Sequence, residues 1–270
     1  MKTNIHIWFI IILTTSAFLL PIFFIILTSF KEYGDIVSGV MFPTSYTLQN
    51  YENVLYAPGF RFIDFIFNSI IISSVSTFFN VLISFPAAYS MSRFKTGGDT
   101  LSSYIISLRL LPPIIFVIPI FMLFQNVGLL DTHLGLILIY TVFNLPLTIL
   151  VLRSFINDIP MEIEESALID GCSRLRLIFN IVLPLSLPGI IAVSILTFLA
   201  SWNEYLFALI LTFKKAATVN VAASLFVTAY AIRYGEIAAS VVMSMIPPLL
   251  FIFIVQRNLV RGLTLGALKR

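Results

Sequence analysis

Six long stretches of apolar residues with almost no charge dominate this chain of 270 residues. A hydrocarbon core about 30 Å thick requires roughly 20 helical residues at about 1.5 Å each, and every stretch approaches or exceeds that length. None of them alternates polar and apolar residues as a membrane β-strand does. We therefore predict an all-α integral membrane protein, a bundle of six transmembrane helices. The predicted spans are residues 5–30, 65–88, 101–124, 134–152, 187–211 and 238–255.

The composition excludes several other classes of protein. Hydrophobic residues make up 59% of the chain and charged residues 11%, with a mean hydropathy of +1.02, whereas a soluble domain carries about 25% charged residues. Scarce charge argues against intrinsic disorder, and the single cysteine, Cys172, excludes a disulfide scaffold. The two histidines, His6 and His133, have no partners at metal-ligand spacing, so we expect no metal site.

The chain reads as one transmembrane domain over residues 1–270 with a retained first helix. Its first apolar stretch exceeds the 7–15-residue core of a signal peptide and offers no small-x-small cleavage site. Prolines within the stretches, such as Pro112, Pro113 and Pro119, are expected inside spans, because a packed bundle can satisfy the backbone groups that they free.

The distribution of lysine and arginine predicts that both termini lie in the cytoplasm. With that topology the cytoplasmic face holds ten basic residues and the outer face five, in keeping with the positive-inside rule. The net charge of +3 therefore reflects topology, and no nucleic-acid partner is expected. The long outer loop 31–64 and the less polar outer segment 212–237, which could be partly re-entrant, connect the spans.

The cytoplasmic loop 153–186 predicts two short helices joined by a sharp turn. Pro160 suits a first helical turn, and the acids that follow suit the positive end of the helix dipole. Gly171 is a natural helix stop, and Ser173 can cap a second helix that runs to Pro184. A rigid helix–turn–helix below the membrane suits the transmission of force to a partner protein, although a merely solvated loop is the alternative.

One motif in this loop identifies a family. Glu165-Ser166-Ala167 is followed after three residues by Gly171 and, after nine more, by Ile181-x-Leu-Pro184. This spacing resembles the cytoplasmic loop of permease subunits of ATP-binding-cassette (ABC) importers, with Ser166 in place of the usual alanine. Leu110-Leu-Pro-Pro113, Trp202-Asn-Glu204 and the tail 256–269 resemble the carbohydrate-importer branch, most closely the second permease of maltose and trehalose systems.

The resemblance implies the residues and partners with which the chain works. Five loop residues would dock into a cleft on a separate ATPase: Glu165, Ser166, Ala167, Asp170 and Gly171. The partners would be a homologous second permease forming a heterodimer, a dimer of ATPase subunits and an extracytoplasmic sugar-binding protein that contacts loop 31–64. Lipid of the cytoplasmic membrane would surround the spans.

The chain lacks the residues for ATP hydrolysis of its own. No G-x-x-x-x-G-K-[ST] sequence occurs, so we expect no enzyme activity and no cofactor on this chain, with ATP and Mg on the partner ATPase. Polar residues in the spans are costly in lipid and should face the bundle interior, an interface or water. Four residues of the predicted fourth and fifth spans are candidates for lining the translocation pathway: Asn144, Trp202, Asn203 and Glu204.

Other functions remain open at this point. An importer of another solute, such as glycerol phosphate or a polyamine, would share the architecture; for an anionic cargo only Arg109 offers itself, and we expect it towards the inner side. A carrier driven by an ion gradient would need intramembrane carboxylates or inverted repeats, and Glu204 alone is thin support. An intramembrane enzyme would need a constellation of His or acids that the spans do not carry.

Overall fold

The computed structural model describes residues 5–59, 61–227 and 232–267. Within those ranges every regular element is a helix, which confirms the all-α prediction. The helices are α1 (Ile5–Ser29), α2 (Tyr33–Ser38), α3 (Gln49–Leu55), α4 (Phe62–Arg93), α5 (Gly98–Leu108), α6 (Ile114–Val127), α7 (His133–Asn157), α8 (Met161–Ile169), α9 (Arg174–Leu177), a π-helical turn (Ile178–Val182), α10 (Leu183–Leu185), α11 (Leu187–Trp202), α12 (Leu206–Leu211), α13 (Val219–Ser224) and α14 (Tyr234–Ala267).

Four helices of the described residues are long and apolar enough to cross a membrane. They are α1, α4, α7 and α14, and they cover four of the predicted spans. A fifth crossing is present if the segments Arg174–Leu185 and Leu187–Trp202, bent by 70° at their junction, count as one span.

The predicted third span, 101–124, is not one helix. It is divided into α5 and α6 by a non-helical segment, residues 109–113, and α6 is only 14 residues long. Pro112-Pro113 favours a break at this place, because proline supplies no backbone N–H and the residue before it, Leu111, is pushed away from helical geometry. The expectation that these two prolines lie inside a helix was therefore wrong.

The predicted fifth span, 187–211, is divided as well. The helix α11 ends at Trp202, and α12 begins at Leu206, so that Asn203 and Glu204 lie in the break. A carboxylate placed two residues before α12 can satisfy the free N–H groups at its start, which makes a new helix start favourable there.

The described residues group into two compact units. The first comprises 1–66 and 219–246, and the second 67–218 and 247–270. These units are defined by the density of contacts within each of them, which does not test whether the chain is one domain. The single domain over residues 1–270 therefore stays a prediction. Three of the basic residues used for the topology, Lys2, Lys269 and Arg270, lie outside the described residues.

In the first unit, loop 31–64 is folded. The Asn50 amide donates hydrogen bonds to the carbonyl oxygens of Ser29 and Lys31, at 3.0 and 2.9 Å. The Asp35 carboxylate accepts hydrogen bonds from the Thr44 backbone N–H and hydroxyl, both at 2.7 Å. The Asn50 bonds hold α3 against the end of α1, and the Asp35 bonds hold α2 against the segment that contains Thr44.

The second unit has a core formed by α4, α7, α11 and the loop between α7 and α11. Buried polar groups link the helices: Asn80 donates to the Thr141 carbonyl at 2.8 Å, and Ser76 donates to Ser201 at 3.2 Å. The helix α11 approaches α7 closely at Gly189, where a Cβ atom would lie 2.5 Å from the Phe155 ring. The buried core residues of the second unit are Phe85, Ala88, Tyr89, Leu152, Ile156, Ile159, Leu177, Val182 and Val193.

Candidate functional site

The candidate site is the helix–turn–helix of loop 153–186, and its turn has a defined geometry. The helix α8 begins directly after Pro160 and ends at Ile169. Gly171 has a φ of +82°, a left-handed conformation that favours glycine. The Gly171 N–H donates to the Leu168 carbonyl at 3.1 Å, and the Cys172 N–H donates to the Ala167 carbonyl at 3.0 Å. This pair of bonds is a Schellman motif, which fixes the exit direction of the chain.

The second helix begins where the sequence predicts but does not run on regularly. The Ser173 side chain accepts a hydrogen bond from the Arg176 N–H at 3.4 Å and so caps α9. A π-helical turn then follows over Ile178–Val182, and the helix continues through Pro184 to Leu185 as the sequence predicts. The Arg174 guanidinium lies 5.2 Å from the centre of the Phe94 ring, a cation–π contact.

The tip of this structure exposes polar and apolar residues together. Of the five residues expected to dock, Ala167 is half-buried and the other four are exposed. Ile169 is 86% exposed and Leu175 is 70% exposed, one on each side of the Gly171 turn. The tip therefore presents exposed aliphatic side chains beside the exposed carboxylates of Glu165 and Asp170.

The base of the loop is anchored by a buried ion pair that sequence reasoning missed. The Glu164 carboxylate accepts a hydrogen bond from the Arg93 Nε at 2.6 Å and another from the Tyr89 hydroxyl at 2.8 Å. Arg93 also donates to the Ile159 carbonyl at 2.9 Å. No feature of the sequence separates Glu164 from its neighbours Glu162 and Glu165, because only the packing of α8 against α4 decides which acid is buried.

The apolar side of the loop packs on the core of the second unit. Ile159, Leu177 and Val182 belong to that core, and Ala167 and Cys172 pack against it. The Cys172 thiol is free and half-buried. The loop is therefore attached to α4, α7 and α11.

The four residues expected to line the translocation pathway have different environments. Trp202 is 3% exposed, and its ring stacks on Phe198 with centroids 5.9 Å apart. Asn144 donates to the Tyr140 carbonyl at 2.9 Å and to the Ser201 hydroxyl at 3.3 Å, which joins α7 to α11. Asn203 is exposed at the end of α11. The structure thus brings Asn203 and Glu204 together at one break and leaves Trp202 inside the protein.

Glu204 has a local structural partner. Its carboxylate accepts hydrogen bonds from the backbone N–H groups of Phe207 at 2.9 Å and Ala208 at 3.2 Å, and so caps the start of α12. The capping of α12 by these two hydrogen bonds is sufficient to explain why a carboxylate lies at the break.

A second polar network, also missed from sequence, lies at the opposite end of α7 from the loop. The Asp131 carboxylate accepts hydrogen bonds of 3.0–3.1 Å from four consecutive backbone N–H groups, those of residues 213–216. Burial by itself raises the pKa of Asp131, but the backbone hydrogen bonds outweigh it and hold this pKa below its usual value of 3.8. His133 Nε2 and Asn68 Oδ1 are hydrogen-bonded at 2.7 Å nearby.

The family model described as "Binding-protein-dependent transport system inner membrane component" matches residues 80–265, a range that includes the whole candidate site. The chain belongs to this family. The permease is 35% identical over 261 residues to the trehalose/maltose transport system permease protein MalG of Thermococcus litoralis, with 96% of this chain and 94% of that protein covered. It is likewise 35% identical to the trehalose transport system permease protein SugB of Mycobacterium tuberculosis, with 93% and 92% covered.

Solved structures support the same fold. The permease superimposes with a TM-score of 0.77 on a chain of a bacterial ABC transporter involved in the import of the polysaccharide alginate, at 20% identity, covering 95% of this chain and 98% of that one. The MetNI methionine ABC transporter matches with a TM-score of 0.63 at 17% identity, covering 74% and 95%. The fold is that of the type I importer permeases.

Proposed function

We propose that this permease is the transmembrane subunit of an ATP-driven importer that moves a di- or oligosaccharide across the cytoplasmic membrane. Both termini lie in the cytoplasm, so that loop 153–186 faces the ATPase. ATP and Mg bind to the partner ATPase, and this chain binds no cofactor and hydrolyses nothing itself.

The observation that carries the proposal is the exposed tip around Gly171. A helix with exposed Glu165 and Ser166, ended by a Schellman turn and flanked by exposed Ile169 and Leu175, suits insertion into a cleft of a partner protein. A solvated loop would not need either the buried Arg93–Glu164 pair or the apolar tip.

The proposed mechanism is mechanical coupling. When two ATPase subunits close on ATP, they carry the docked tips of both permeases with them. The rigid turn at Gly171 and the Arg93–Glu164 pair at its base transmit this displacement to α4, while the apolar core transmits it to α7 and α11. The two permeases then pass from an inward-facing to an outward-facing state.

We assign the outer loop 31–64 to contact with the sugar-binding protein. The loop has a defined fold and exposes three tyrosines, Tyr33, Tyr46 and Tyr56, which are 73–82% exposed. Tyrosine is enriched at protein interfaces because it combines a large apolar surface with a hydrogen-bonding group. The remaining partner is a homologous second permease.

The names of the relatives support a carbohydrate cargo. They include permeases for trehalose and maltose, and one of a diacetylchitobiose uptake system of Streptomyces coelicolor, 32% identical over 265 residues, with 96% of this chain and 87% of that protein covered. An importer of another solute with the same architecture is the second candidate.

The test is purification of this permease from its native membrane in mild detergent, followed by reconstitution into vesicles. We expect a second permease and an ATPase to purify with it, and trehalose or maltose uptake to require ATP and the binding protein. Transport by this chain alone without ATP would overturn the proposal in favour of a gradient-driven carrier.

A further inference from the structure

The break between α5 and α6 lies halfway along the neighbouring helix α7. The helices α5 and α7 are joined near one end of α7 by a hydrogen bond from Arg153 to the Ser102 hydroxyl. Residues of the break line one cavity together with Ile139, Val142 and Pro146, which belong to the middle part of α7. Since α7 has 25 residues, a length of about 37 Å, and is long enough to cross a membrane, residues 109–113 lie beside the middle part of a candidate membrane-crossing helix.

A backbone of this kind cannot face lipid tails at that depth. Non-helical backbone has unsatisfied polar groups, and it is tolerated within the hydrocarbon region only where protein covers it or where it lines a water-filled cavity. In transport proteins, broken helices at mid-membrane are a recurrent place for cargo sites.

Arg109 at this break is a charged side chain without a partner. It is exposed on the permease, and within the described residues its guanidinium makes no hydrogen bond or ion pair. A charged side chain is costly within the hydrocarbon core of a bilayer, so this position favours water or a polar ligand. The guanidinium presents only hydrogen-bond donors.

Arg109 lies at a cavity whose other walls are apolar and aromatic. The cavity has a volume of about 550 Å³, and its walls include Phe116 and Phe143, whose ring centroids are 5.7 Å apart. Small-molecule sites typically occupy about 300–1,000 Å³ and combine apolar walls with a few polar groups that fix orientation. The cavity thus has the size and lining of a ligand site.

We propose that Arg109 and this cavity form a cargo subsite in the translocation pathway, which holds a sugar ring of the transported saccharide. The guanidinium donates hydrogen bonds to hydroxyl or ring oxygens, and the apolar face of the sugar packs on Phe116 and Phe143. The subsite rests on the proposed function, since it takes the same saccharide. Arg109 is then a specificity-determining residue that sequence-level reasoning left without a role.

The experiment is cysteine accessibility in the assembled transporter. Because Cys172 is the only cysteine, Cys172→Ser provides a background without thiols. Leu111→Cys places a thiol at the cavity, and Ile118→Cys, on α6 outside the cavity lining, is the control. The purified complex in vesicles is treated with a membrane-impermeant thiol reagent, with and without trehalose or maltose. We expect Leu111→Cys to be modified and either sugar to slow its modification, while modification of Ile118→Cys is unaffected by sugar.

Absence of modification at Leu111→Cys, or modification that no transported sugar slows, would overturn the subsite. An uptake assay supplies the second measurement. We expect Arg109→Ala to raise the sugar concentration that gives half-maximal uptake about tenfold to a hundredfold, and Arg109→Lys to raise it by less. The yield of the purified complex should be unchanged in both variants. Equal half-maximal sugar concentrations for the unchanged permease, Arg109→Ala and Arg109→Lys would also overturn the proposed subsite. ATP-driven uptake by the chain with Arg109 intact is measured first, so that failure of the proposed function is seen separately.

Discussion

Arg93 at the end of α4 and Glu164 in α8 form an ion pair with an Nε–Oε1 distance of 2.6 Å, and both side chains are less than 10% exposed. The Tyr89 hydroxyl and the Ile159 carbonyl complete its hydrogen bonds. A buried pair with satisfied partners is costly to break from one side, because the remaining charge is left without compensation. The pair therefore holds the base of α8 in one position on α4.

Removing one partner of this pair should destabilise the permease strongly. We expect Glu164→Ala to lower the free energy of unfolding by about 3–5 kcal/mol, since Arg93 is left charged and buried. The double variant Arg93→Met with Glu164→Leu should recover much of that loss, because an apolar pair of similar volume avoids the desolvation cost. Thermal unfolding in detergent measures both.

The matched control is Glu165→Ala, next along the same helix but exposed. Its free energy of unfolding should change by no more than about 0.5 kcal/mol, as is usual for surface substitutions. It should instead weaken association with the ATPase. Equal destabilisation by the two alanine variants would contradict the assignment of Glu164 as the anchor.

At Gly171 the expected effect is on coupling. An added Cβ meets no atom within 4 Å, but the φ of +82° strains any residue with a side chain by about 1 kcal/mol or more. We expect Gly171→Leu to insert in the membrane yet lose ATPase association or ATP-driven uptake. Gly171→Asn is the control, because asparagine tolerates the left-handed region, and it should retain more uptake. Normal uptake with Gly171→Leu would refute the role of the turn.

The Asp131 network predicts a pH dependence of stability. The folded-state pKa of Asp131 lies below 3.8, so its contribution to stability is fully present above about pH 4 and is lost as the pH falls through the folded pKa. Asp131→Asn should remove this contribution and cost about 1–2 kcal/mol at pH 7, since hydrogen bonds to charged groups contribute about 1.5–3 kcal/mol and the site is only half-buried. Unfolding measured between pH 3 and pH 7 should then be less pH-dependent in Asp131→Asn. An unchanged acid transition would show that other carboxylates dominate.

Variants at Glu204 distinguish a helix cap from a charged group in the pathway. As a cap, Glu204→Ala should destabilise the permease by about 1 kcal/mol, whereas Glu204→Gln keeps an acceptor oxygen and most of the stability and uptake. If the charge itself served transport, Glu204→Gln would lose uptake as fully as Glu204→Ala. Uptake rates and unfolding midpoints of both variants decide the question.

Local chemistry made the helix–turn–helix of loop 153–186 predictable. The left-handed Gly171 and the Ser173 cap follow from residue types whose backbone and side-chain preferences act over a few residues, and both are found where expected. The buried Glu164 was not predictable in this way, because its burial depends on Arg93, which is 71 residues distant in the chain.

The same contrast holds for the spans. Pro112-Pro113 separates two helices, whereas Pro247-Pro248 lies inside α14. The dipeptide is identical, so what surrounds each pair, rather than the prolines themselves, decides whether the helix continues. The position of Arg109 at this break, beside the cavity between α6 and α7, could not be predicted before the break was located.

By itself, the sequence determined the membrane class, the helical type and the family, because length, hydropathy and motif spacing are properties of the chain that need no neighbours. Tertiary structure alone decided which acid of α8 is buried, where two spans are broken, that Asp131 receives four backbone N–H groups, and that Arg109 lies at a cavity. Each of these depends on contacts between segments distant in sequence, where packing and desolvation select among residues whose local preferences are the same.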